Sequence, residues 1–270
     1  MPELPEVQTV VNTLRPRVRG RTIRDVRLTR DDVLTPAGVD FARLIEGRTV
    51  AEISRRAKRI VFTLDDGQRF YIHLGMSGRL TVQPPDDPLP RHTHLLIGLD
   101  AEPALELRFT DPRRFGGIWW LGVAPDEDGV VGPEPLTVRP AQLARRLART
   151  TRAIKNALLD QSVIAGLGNI YVDESLFAAG IHPLTPANTL TTEQVKGLNR
   201  AIKSTLRRAL RHRGSTLRDY RDADGNAGGF QSLHRVYGRA GEPCRACRSA
   251  IQRIVLGGRS THFCGNCQPR

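Results

Sequence analysis

Cys244-Arg245-Ala246-Cys247 and, sixteen residues further on, Cys264-Gly265-Asn266-Cys267 contain every cysteine of this 270-residue chain. Two CxxC knuckles at that separation suit a tetrahedral zinc site. Each knuckle turns tightly enough to give two thiolates to one ion, and the stretch between them is long enough for a hairpin. Two disulfides or four unrelated thiols are the alternatives. Four thiolates leave no open position for water, so a single zinc held this way is structural and any chemistry lies elsewhere. The knuckles therefore set residues 231–270 apart as a small zinc-finger β-hairpin with four thiolate ligands.

Upstream of them the period is helical. Segments 140–149, 152–160, 170–179 and 192–213 repeat apolar residues at helix spacing, and Thr191-Thr192-Glu193-Gln194 offers a cap for the last. That helix is basic, with Arg200, Lys203, Arg207, Arg208, Arg211 and Arg213. A glycine-rich stretch, Asp222 to Phe230, follows it. Residues 122–139, rich in Pro, Gly and acids, read as a linker. Before the linker the pattern is that of strands. Arg59–Leu64, the turn Asp65-Asp66-Gly67 and Arg69–Leu74 form a hairpin, and 94–99, 105–109 and 118–121 continue the series. Residues 5–15 open the chain as a helix that Pro16 is expected to stop. The reading is an α+β multidomain protein: an N-terminal β-sandwich with a flanking helix (1–121), a linker (122–139), a helical domain (140–230) and the zinc finger (231–270).

Composition narrows the partner. Lys plus Arg number 41 against 28 Asp plus Glu, a formal charge of +13. Arginine dominates the cations, and its planar fork suits bidentate phosphate contacts. A basic chain carrying a zinc hairpin points to nucleic acid, although a solvated basic surface would show the same count. No apolar stretch is long enough to span a bilayer, and Met1-Pro2-Glu3-Leu4-Pro5-Glu6 does not read as a signal peptide. A cytoplasmic location is expected.

Three constellations bear chemistry. Removal of Met1 leaves Pro2 as a free secondary amine. With a pKa of about 7.7–8.0, an α-amine is far more often neutral at pH 7 than a lysine, and only the neutral form attacks an electrophilic carbon. Glu3 and Glu6 lie three residues apart beside it, placed to act as acid or counter-charge, or simply to complement a helix dipole. Second, Gly166-Leu167-Gly168-Asn169 leads into a helix, with Asn169 as its expected N-cap and free N–H groups that suit a phosphate. Third, Met76, Arg113 and Phe115 sit on two glycine-containing loops. They suit wedging into a base stack, or packing in a core.

Pro2-Glu3-Leu4-Pro5-Glu6-Val7, Arg56-Ala57-Lys58, His73-Leu74-Gly75-Met76-Ser77-Gly78, Asp111-Pro112-Arg113-Arg114-Phe115-Gly116, Gly168-Asn169-Ile170-Tyr171 and Gly258-Arg259-Ser260-Thr261 occur in this order along the chain. Together with the cysteines they resemble the formamidopyrimidine-DNA glycosylases over the whole length. The resemblance implies a bifunctional base-excision glycosylase and AP lyase that removes oxidised purines from damaged double-stranded DNA. It implies a helix–two-turn–helix within 140–230, structural zinc on Cys244, Cys247, Cys264 and Cys267, and a monomer without small-molecule cofactor or membrane partner. Pro2 would be the Schiff-base nucleophile, Glu3 the acid, Lys58 the group acting in β-elimination and Arg259 the group tied to δ-elimination. Contacts with DNA would come from His73, His92, Asn169, Arg152 (or Arg149) and Lys155. Met76, Arg113 and Phe115 would fill the void, and Glu6, Glu174 and the 215–230 loop would surround the flipped base. Gln8, Ala227 and Gly229 depart from the common pattern. The alternatives are an endonuclease VIII-like enzyme for oxidised pyrimidines and a non-enzymatic zinc-ribbon DNA binder.

Overall fold

The computed structural model describes residues 1–123 and 131–270; part of the expected 122–139 linker lies outside them. The chain divides into two compact units. One comprises Met1–Asp126 with His212–Gly229, the other Glu127–Arg211 with Phe230–Arg270.

In the first unit, helix α1 (Leu4–Val18) is followed by β1 (Ile23–Leu28), β2 (Leu34–Thr35), the short α2 (Phe41–Ile45) and strands β3 (Val50–Arg56), β4 (Arg59–Leu64), β5 (Arg69–His73), β6 (Arg79–Gln83), β7 (Thr93–Leu99), β8 (Leu105–Thr110) and β9 (Gly117–Gly122). Two sheets form, in the orders β1-β7-β8-β6 and β2-β9-β5-β4-β3. All pairings are antiparallel except the two-residue β2–β9 pair. Alternation along β4 and β5 sends Ile60, Phe62, Phe70 and Ile72 inward, where they meet Leu80, Leu95, Ile97, Leu107 and Phe109 of the other sheet in one apolar core. Val7, Val10, Val11, Leu14 and Val18 of α1 join that core at helical spacing.

Pro16 does not stop α1, which runs two residues further, to Val18. A proline in the last turn removes a single intrahelical bond, and burial of Val18 favours completing the turn. The segment His212–Gly229, read from the sequence as part of the helical domain, packs with the sandwich: Ala223 O accepts from Val82 N at 3.4 Å and Ala223 N donates to Thr13 Oγ1 at 3.2 Å.

The second unit holds α3 (Pro140–Leu147), α4 (Ile154–Leu159), α5 (Asn169–Ala179), α6 (Thr192–Arg211) and the hairpin β10 (Gln252–Leu256)–β11 (Arg259–Phe263). Helix α5 is buried along almost its whole length, and α4, α6 and β11 pack around it. The expected cap of α6 is present as a reciprocal box: Gln194 N donates to Thr191 Oγ1 and Thr191 N to Gln194 Oε1.

Candidate active site

Each unit gathers its own set of functional side chains. In the first, Pro2, Glu3 and Glu6 are buried at the start of α1. Glu3 is the N-cap, and its N–H donates to Glu6 Oε2 at 2.9 Å. The other carboxylate oxygen, Glu6 Oε1, accepts from Ser215 N at 2.7 Å. Gly214 lies so close that an added Cβ would stand 2.5 Å from that oxygen, and its φ of +77° is one a side chain rarely adopts. Glu6 thus anchors the entry of the 215–229 stretch beside the amino terminus. The Tyr220 hydroxyl is directed at the carbonyls of Glu6 and Arg213.

Desolvation holds the terminal amine below its ordinary value of 8.0, opposed by Glu3 and Glu6 and reinforced by the charges of Lys58 and Arg113. In this structure that amine belongs to Met1; without Met1 it belongs to Pro2. Lys58 itself is buried in the two-residue turn that joins β3 to β4, where Ala57 is left-handed at φ 54°. His73 ends β5, one register step from Lys58, since it pairs with Arg59. Burial, with Lys58 and Arg59 adding to it, pushes the His73 imidazole down to about 4. The ring is therefore neutral at pH 7, and Nδ1 accepts from Gly75 N at 3.1 Å, which leaves the proton on Nε2.

Met76 (40% exposed) and Phe115 (58% exposed) project from two loops rather than packing in the core. Arg113 is exposed beside them. The residue that joins these loops is Asp111, which the sequence reading did not single out. Fully buried, its carboxylate accepts from Ser77 Oγ at 2.6 Å, Gly116 N at 2.8 Å and Arg113 N at 3.2 Å. Its backbone N–H reaches His92 O at 3.0 Å, so exposed His92, left-handed at φ 63°, joins the same cluster. The loops touch backbone to backbone: a Cβ on Gly75 would stand 2.4 Å from Gly116 N. Met76, Phe115 and Arg113 are thereby carried on two loops that share one buried carboxylate anchor.

The second unit centres on Ser260, next to Arg259. Its carbonyl accepts from Lys155 Nζ at 2.8 Å and from Asn169 Nδ2 at 2.9 Å. Lys155 is wholly buried and paired with Asp173 Oδ1 at 2.7 Å. The other oxygen of Asp173 accepts from His262 N at 2.9 Å. This buried network fastens the hairpin that carries Arg259 to α4 and α5. Lys155, expected among the DNA contacts, has its ammonium enclosed by protein partners in this structure. Glu174, expected around the flipped base, is buried and accepts from the N–H groups of Arg235, Val236 and Tyr237. Burial pushes its carboxyl up, opposed by those bonds. Asn169 is not the N-cap but the first helical residue; extended Gly168 is the cap, which frees the Asn169 side chain for Ser260. Its Oδ1 is buried without a partner among the described residues. Arg152 is exposed and paired with Asp160 at 2.8 Å.

The four cysteines are free of disulfides, and their sulfurs lie within 4.8 Å of one another. Two of the separations are 3.4 and 3.9 Å, bracketing the edge of about 3.8 Å that Zn–S bonds of about 2.3 Å give a tetrahedron. The donor set therefore fits one structural zinc and leaves no coordination position for a substrate.

Three family descriptions match: the formamidopyrimidine-DNA glycosylase N-terminal domain over residues 1–118, its H2TH domain over 131–221, and the zinc finger found in FPG and IleRS over 241–270. The formamidopyrimidine-DNA glycosylase of Chloroflexus aurantiacus is 47% identical, with 99% of this chain and 98% of that protein covered. The Bacillus subtilis enzyme is 42% identical over the full length of both. Among solved structures, a Lactococcus lactis Fpg variant in complex with DNA containing Fapy-dG superposes with a TM-score of 0.91 at 34% identity, covering both chains completely. MutM (Fpg) from Thermus thermophilus gives 0.88 at 41%, covering 99% of this chain and 98% of that one. Sandwich, helical unit and zinc hairpin, with these side chains, define a DNA-repair glycosylase of base excision. More narrowly, the chain belongs to the formamidopyrimidine-DNA glycosylase family.

Proposed function

We propose that the chain excises oxidised purines, 8-oxoguanine and formamidopyrimidines, from duplex DNA and then cuts the strand, with Pro2 as the covalent nucleophile. The observation that carries this reading is the burial of Pro2 with Glu3 and Glu6 at the start of α1, in the same unit as buried Lys58, whose charge reaches the amino terminus. The Lactococcus lactis protein described above holds DNA containing Fapy-dG, which supports the same class of substrate here.

Phosphate contacts position the duplex, and the damaged nucleotide swings out of the stack at a cost of a few kcal/mol. Met76, Arg113 and Phe115 offset that cost by filling the gap, and the guanidinium of Arg113 donates to the acceptors of the orphaned cytosine. The neutral imino nitrogen of Pro2 attacks C1′. The glycosidic bond breaks with its electrons going to the base, which leaves with a proton. Glu3 protonates the ring oxygen as the sugar opens, and an iminium remains. That cation acidifies the C2′ proton, whose loss expels the 3′ phosphate; a further proton loss expels the 5′ phosphate. Lys58 serves the first elimination and Arg259 the second. Asn169, His73 and Arg259 bind phosphates, and zinc holds the hairpin that presents Arg259. The product is a one-nucleotide gap with phosphate on both ends. The sandwich is the catalytic part; Asn169 at the start of α5 and the zinc hairpin grip the lesion-bearing DNA. We place its action on chromosomal DNA in the cytoplasm.

The test follows base release and strand cleavage separately on duplexes carrying 8-oxoguanine opposite cytosine or thymine glycol. Release of 8-oxoguanine followed by cleavage on both sides is expected. Preference for thymine glycol would establish the pyrimidine-directed alternative instead.

A further inference from the structure

Along α6, Arg200, Lys203, Arg207 and Arg211 recur at spacings of three and four residues, so they share one helix face. Arg200, Arg207 and Arg211 are exposed and Lys203 is half-buried. Lys196, one turn earlier on this face, pairs with Glu193. The other four make no ion pair among the described residues. The opposite face of α6 buries Val195, Leu198, Ile202, Leu206 and Ala209, which fixes the helix to its unit and presents the cations to solvent. From Gln194 to Arg218 the chain has eight Lys or Arg and no Asp or Glu. Like charges one turn apart work against a helix; Glu193 at the start of this face acts on Lys196 and Arg200, and no acid follows it along the helix. The last turn alone would gain from cations, through the helix dipole; Arg200 and Lys203 lie well before it.

The face also lacks what other partners need. None of the exposed large apolar side chains is on α6, so it has no aromatic or aliphatic anchor for a protein interface. Its apolar side is in the core and unavailable to a bilayer. A phosphodiester backbone requires only charge. The four cations span about 16 Å of helix, a length over which duplex DNA presents about nine phosphate charges.

We propose that this face of α6 is a second DNA-backbone surface. It holds a lesion-free duplex segment through its phosphates, without reading sequence, while the residues described above act on another segment. The inference rests on the glycosylase reading only in its choice of duplex DNA as the polyanion.

The experiment uses the full-length, zinc-loaded protein saturated with a short duplex carrying a non-cleavable abasic analogue. A labelled lesion-free duplex is then added, and its capture is compared with that by R200Q/K203Q/R207Q/R211Q. The parent protein is expected to form the ternary complex, with an affinity that falls with salt. The variant should lose it, its log–log salt slope shallower by about 3 to 4, while excision from a short lesion duplex stays unchanged. Excision assayed separately keeps failure of the glycosylase reading distinct from failure of this one. R200Q/K203Q and R207Q/R211Q, each expected to lose about half the slope, serve if the fourfold variant does not fold. Absence of a ternary complex with the parent, equal capture by the folded variants, loss of lesion excision in them, or preference for an acidic polypeptide over duplex DNA would each overturn the proposal.

Discussion

The terminal amine is where protonation controls the proposed reaction. Only its neutral form attacks C1′, so activity rises with pH until the amine has lost its proton. Burial lowers the pKa of the amino terminus here, and the same burial should hold the Pro2 amine, and with it the midpoint of the acidic limb of kcat/KM, below the value of an N-terminal proline in an unfolded peptide. A midpoint at or above that value contradicts the assignment. His73, pushed down to about 4, adds no limb near neutrality. Its stability contribution follows the same sign: with the folded value below the unfolded one, stability is intact above the unfolded pKa and is lost as pH falls toward 4. Lys58 lowers the amine's pKa by repulsion, so Lys58→Ala should move the limb to higher pH. It should also reduce strand cleavage more than DNA binding. A pH–rate profile and a cleavage assay check both effects, and an unmoved limb with full cleavage removes Lys58 from the site.

Loops and helices carry the next predictions. Asp111 ties together the Met76 and Arg113–Phe115 loops, so Asp111→Asn, which loses an acceptor and the charge, should destabilise the protein by about 1–3 kcal/mol. Denaturant unfolding measures this. Looser loops should also lower discrimination of the base opposite the lesion, and unchanged stability and discrimination would refute the tie. Lys155→Met strands a buried carboxylate on Asp173, at a cost of about 3–5 kcal/mol. K155M/D173N should recover much of that loss, whereas a surface DNA contact would give little loss in either. These two networks also mark what the sequence did not disclose. The β4–β5 hairpin, α6 with its Thr191–Gln194 box and the cysteine knuckles were legible, because period, turn residues and ligand spacing are local. Asp111 and Asp173 were not, since a carboxylate's partners depend on which backbone N–H groups the fold brings to it. The burial of Lys155 and Glu174 was not legible for the same reason: charge in a sequence says nothing of burial. Pro16 misled because packing of Val18 outweighs one absent helix bond.

At the scale of the molecule, the +13 charge, the zinc hairpin and two separately organised sets of functional groups point to one activity. The sandwich supplies an amine with its acid and lysine; the helical unit supplies Asn169 and Arg259 on a locked hairpin. What unites them is the claim that the reaction passes through a covalent bond between DNA and the amino terminus. Borohydride reduces an iminium to a stable amine, so treatment during turnover on a duplex containing 8-oxoguanine should yield a cross-linked species. Peptide mapping should find the sugar on Pro2, and protein retaining Met1 should give no such adduct. Strand cleavage without any trapped species, or an adduct mapped to Lys58 or another lysine, would contradict a mechanism built on Pro2.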